Sequence, residues 1–64
     1  MSDLQQAINI YKKEIYDLEH QISICARCEP LDMANLKNLI GRHSHKVEFL
    51  EELEEIKTLI EIRS

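Results

Sequence analysis

The sequence is short of the residues that most sharply bend a chain, with one glycine and one proline in 64 residues, and it has no tryptophan. Several short strands would each need turn residues, so this scarcity excludes an all-β fold and favours long helices. Long apolar runs are missing too, and no stretch approaches the ~20 residues that cross a bilayer. The opening Met1-Ser2-Asp3-Leu4 has neither the basic nor the apolar region of an export signal, so a cytoplasmic location is expected. In that compartment the two cysteines are expected to be reduced thiols, a metal pair or a redox pair rather than a structural disulfide. Basic residues are in the minority, eight against twelve acids, for a net charge of −4. That balance excludes a general phosphate-binding surface, and neither nucleic acid nor a membrane is an expected partner.

What the chain does have is apolar periodicity. Leu4, Ile8, Tyr11, Ile15, Leu18, Ile22 and Cys25 alternate at steps of four and three, the seam of a packed helix. Ser2 with Gln5 three residues later has the pattern of a capping box, so this helix is expected over about residues 3–27. Cys28, Glu29 and Pro30 form the turn, with Pro30 pre-set for the first turn of a second helix expected over about 31–62. Leu36, Ile40, His43, Val47 and Leu50 continue the alternation there, and Phe49, Leu53, Ile56 and Ile60 carry it onto a rotated face. Gly41 through His45 is the weakest helical stretch and the place for a kink, although a continuous helix is expected.

A short turn makes the two helices antiparallel neighbours, so the fold class is all-α: one coiled-coil-like helical hairpin over residues 1–64. In the expected register Ile22 faces Leu36, Leu18 faces Ile40, Tyr11 faces Val47 and Ile8 faces Leu50, with Lys12 and Lys13 near Glu48 and Glu51. One chain of this length hides only ~60% of its unfolded surface, which leaves it marginal by itself. The second helix also overshoots the start of the first, so Leu59, Ile60 and Ile62 lack cover, as does Ile56 on the rotated face. Ile10, Tyr16 and Ile24 fall outside the first seam, where a lone pair of helices would show water a polar residue. These seven are the expected interface of a homodimer or larger homo-oligomeric bundle.

Candidate chemistry is sparse. Cys25 and Cys28, one helical turn apart, supply half of a tetrahedral zinc site that a second protomer would complete. In this placement the Cys25-Ala26-Arg27-Cys28 motif resembles the zinc-hook apex of the long coiled-coil DNA-repair ATPases, which implies two hairpin tips joined through one metal. The competing reading makes Cys25 a small apolar seam residue and Cys28 a neighbour of the turn. A redox pair is disfavoured, because the negative end of a helix dipole opposes thiolate formation. His43 and His45 would reach the cysteines only if the second helix broke at Gly41; otherwise His43 belongs to the seam. Glu29-Pro30-Leu31-Asp32-Met33-Ala34 resembles the acidic coiled-coil tip of the DksA-type factors that enter the RNA polymerase secondary channel. It also reads as an ordinary helix start.

Glu48, Glu51, Glu52, Glu54 and Glu55 are read as a solvated helix face. Tyr11, Lys12, Lys13 and Arg42, with Tyr16, are cations and aromatics that would grip a phosphate or a base in a pocket formed between protomers. No glycine-rich phosphate loop and no spaced nucleophile and base are present, so the chain is not expected to be an enzyme. The expected function is a small regulatory module that binds itself and a larger protein through its helical hairpin, with no cofactor. A zinc-linked oligomer and an oligomeric ligand or nucleotide binder are the alternatives.

Overall fold

Asp3 begins the first helix with an acid at its positive end, and Arg27 closes it with a base at its negative end, both favourable to the helix dipole. In the structure, a computed structural model that describes residues 3–63, this helix is α1, Asp3–Arg27. The expected Ser2 cap lies outside the described residues. The backbone amide of Cys28 donates to the Cys25 carbonyl at 3.2 Å and tightens the last turn.

The second helix, α2, is Met33–Arg63 and starts later than the sequence suggested. Asp32 decides the start. Its Oδ1 accepts from the Asn35 amide at 3.1 Å and its carbonyl accepts from the Leu36 amide at 3.0 Å, the arrangement of an N-cap. An acidic cap satisfies an otherwise orphaned N–H, which a proline in the first turn does not, so Pro30 stays in the loop. The helix then runs through Gly41 to His45 without interruption, and a β-carbon at Gly41 would meet nothing within 4 Å. The ~1 kcal/mol a mid-helix glycine costs is too little to break thirty-one residues of helix.

The two helices pack against each other, and there are no strands among the described residues. The molecule measures 53 × 17 × 12 Å. Every position of the α1 seam from Leu4 to Cys25 is half-buried or buried, with Ile8 only 2% exposed. Near the apex Leu18, Cys25 and Leu39 form the core cluster, flanked by Ile22 and Leu36.

On α2 the seam differs from the expected one. Leu39 is 6% exposed whereas Ile40, expected opposite Leu18, is 50% exposed. The inward positions are Leu36, Leu39, His43, Lys46, Leu50, Leu53 and Lys57, a strict alternation of three and four, with Val47 beside them. A period of 3.5 is satisfied by Leu39 as well as by Ile40, and only contact with α1 chooses between them. The same shift replaces the expected Lys12 and Lys13 pairs: Lys12 lies 3.9 Å from Glu54.

Candidate interaction surface

Three of the inward α2 positions are polar, and each reaches across to a polar group on α1. Lys46 Nζ donates to Glu14 Oε2 at 2.8 Å, His43 Nε2 lies 3.0 Å from Glu19 Oε2, and Lys57 donates to Gln5 Oε1. Their aliphatic and ring portions cover the seam while the polar ends stay wet, so no buried side-chain polar atom among the described residues lacks a partner. The consequence is geometric. Where α2 spends seam positions on His43, Lys46 and Lys57, its apolar side chains occupy other faces.

Those faces carry the residues expected to form an interface. Ile10, Tyr16 and Ile24 on α1 and Ile56, Leu59, Ile60 and Ile62 on α2 are all exposed, Ile62 the most at 75%. At about 100° per residue, Phe49, Ile56 and Ile60 form one exposed stripe that flanks the inward Leu53. Tyr16 stands on a different flank of α1 from Ile10 and Ile24, beside Asp17, His20 and Gln21. Among the described residues eleven large apolar side chains are exposed, and three, Ile8, Leu18 and Leu39, are buried beside the small Cys25.

The cysteines sit in different surroundings. Cys25 is buried, its thiol donating to the Asp32 carbonyl at 3.9 Å and accepting from the Asn35 side-chain Nδ2 at 3.7 Å. Cys28 is exposed and its thiol donates to the Ile24 carbonyl at 3.3 Å. Among the described residues no three His, Cys, Asp or Glu side chains converge as metal ligands within the chain, and an unbroken α2 holds His43 and His45 away from the apex. Despite this difference in exposure, both cysteines line one open hollow at the apex, together with Gln21, Ile24, Asp32, Asn35 and Leu39.

Of the four candidate ligand contacts, Tyr11 and Arg42 meet around one hollow, together with His45, Lys46 and Phe49. The Tyr11 and Phe49 rings are tilted by 46° with centroids 5.1 Å apart, and Lys46 Nζ lies 5.2 Å from the Tyr11 ring centre. Lys12 is elsewhere, paired with Glu54, and Lys13 does not line this hollow. His45, Lys46 and Phe49 line the same hollow and are not among the contacts expected from sequence. Their signal was present in the sequence, since Arg42, His45, Lys46 and Phe49 stand at i, i+3, i+4 and i+7, one face of a helix.

The Glu51, Glu54, Glu55, Thr58 and Leu59 side chains line a second hollow on α2, and all five are exposed. No helix among the described residues is long and apolar enough to cross a membrane. No family model, curated protein or solved structure matches the chain. The class that can be stated is therefore a two-helix, all-α protein.

Proposed function

We propose that the chain is a non-enzymatic interaction module of a regulatory kind, whose hairpin associates with further copies of itself and engages a larger protein. The observation that carries this reading is the exposure of eleven large apolar side chains among the described residues, against three buried ones, Ile8, Leu18 and Leu39. Scattered exposed apolar residues are ordinary, but a stripe of them continuing past the end of the covering helix is not. Ile56 and Ile60 are such a stripe, and Leu59 and Ile62 carry it into the last turns of α2, past the level at which Lys57 meets Gln5 two residues from the start of α1. A hairpin with this little buried surface gains from burying more of it, which favours a bundle of helices over an isolated pair.

The test is the mass of the native protein under reducing conditions. A dimer or higher oligomer that persists with a chelator supports the reading. A monomer at all concentrations overturns self-association, and zinc retained at one per two chains would move the interface to Cys25 and Cys28.

A further inference from the structure

The hollow between Tyr11 and the Arg42–Phe49 segment has features that self-association does not use. Its volume is about 590 Å³, within the range that holds small ligands, and it is shallow and widely open to solvent. Its lining is Tyr11, Arg42, His45, Lys46 and Phe49, three nitrogen bases and two aromatic rings, without one acid. In a chain of net charge −4 this is a local reversal of sign.

The bases are not equivalent. Lys46 is committed to Glu14 and to the face of Tyr11, which holds the ring against Phe49. Among the described residues the Arg42 and His45 side chains have no hydrogen-bond or ion-pair partner. They stand three residues apart on α2, neighbours on the helix surface, and both are exposed. A guanidinium offers a planar fork of donors matched to phosphate oxygens, and an imidazole adds a further donor from one side. One turn further along, the exposed part of Phe49, backed by Tyr11, offers an apolar platform for a flat ring.

We infer that this hollow binds a small phosphorylated ligand with a planar ring, of the size of a nucleoside monophosphate. Its phosphate lies against Arg42 and His45 and its ring lies on Phe49. A small ligand fits better than a nucleic-acid strand, because a strand would run past the hollow onto a surface dominated by carboxylates, among them Glu48, Glu51, Glu52 and Glu55. The site belongs to a single hairpin and does not depend on the proposed association.

The experiment is a titration of the isotope-labelled protein with adenosine monophosphate, read by resonance shifts, with adenosine and inorganic phosphate titrated separately. The expected result is saturable shifts at Tyr11, Arg42, His45, Lys46 and Phe49, with the intact nucleotide binding at least about tenfold tighter than either half. Arg42→Gln is expected to weaken binding about tenfold, since a charge-assisted phosphate contact is lost, while Lys13→Gln leaves it unchanged. Arg42 is exposed, so the first variant should retain its helical content, which circular dichroism verifies. Absence of saturable shifts at these five residues overturns the proposal. So does equal binding of inorganic phosphate, which would reduce the hollow to a patch that collects anions.

Discussion

The two helices solve the same packing problem with different sequences. α1 places an apolar or small residue at each of its seam positions from Leu4 to Cys25, and every one is buried or half-buried. α2 places His43, Lys46 and Lys57 at inward positions and leaves Ile40, Phe49, Ile56 and Ile60 about half exposed. The lesson is that a helix with one strong stripe has one use for it, whereas a helix with two weaker stripes can serve two neighbours. The polar seam residues of α2 are tolerated because Glu14, Glu19 and Gln5 wait opposite them. Polar contacts of this partly exposed kind contribute at most about 1 kcal/mol, so they align the helices more than they hold them.

The largest expected effect that would break this comparison lies in the apex cluster. Leu18→Ala or Leu39→Ala removes a nearly buried side chain and should cost about 2–5 kcal/mol, enough to unfold a marginal hairpin in thermal melts followed by circular dichroism. Ile40→Ala, one residue from Leu39, should change stability of the hairpin by no more than about 0.5 kcal/mol. Equal losses at positions 39 and 40 would mean that both stripes of α2 are seam.

Next in size is the outward stripe. Replacing Ile56 and Ile60 together with Glu should reduce the sedimenting mass to one chain while leaving helical content largely intact. An unchanged mass would place the association elsewhere. Lys46→Leu is expected to go the other way, raising the melting temperature by the equivalent of about 1 kcal/mol, because an apolar side chain then fills an inward position. A lower melting temperature would show that the pair with Glu14 outweighs the burial. The smallest effect is at Lys12→Ala, where the 3.9 Å pair with Glu54 is more than half exposed at both ends. Its loss should fall below about 0.5 kcal/mol in denaturant titrations.

Much of the architecture was legible beforehand. The α1 seam reads directly from its spacing, since apolar residues at four and three admit one inward face, and its helix bounds match the structure. The later start of α2 was legible only in part, because Pro30 and Asp32 both signal a helix start and the hydrogen bonds of Asp32 settle which prevails. The hollow beside Tyr11 is half legible: Tyr11 and Arg42 are expected contacts that do line it, whereas Lys12 and Lys13 turn about 100° and 200° away from Tyr11 around α1 and do not.

Composition and periodicity alone therefore determined two antiparallel helices, the inward face of α1 and an excess of apolar residues that one hairpin leaves uncovered. Those properties follow from local spacing, which a linear sequence records in full. Tertiary structure decided which of two adjacent residues, Leu39 or Ile40, turns inward, that Lys46 and Lys57 bridge the helices, and that Tyr11, Arg42, His45 and Phe49 surround one space. These choices rest on the rotation and sliding of one helix against the other. Differences of a residue or two in that register cost little locally and are fixed only by the sum of contacts across the interface.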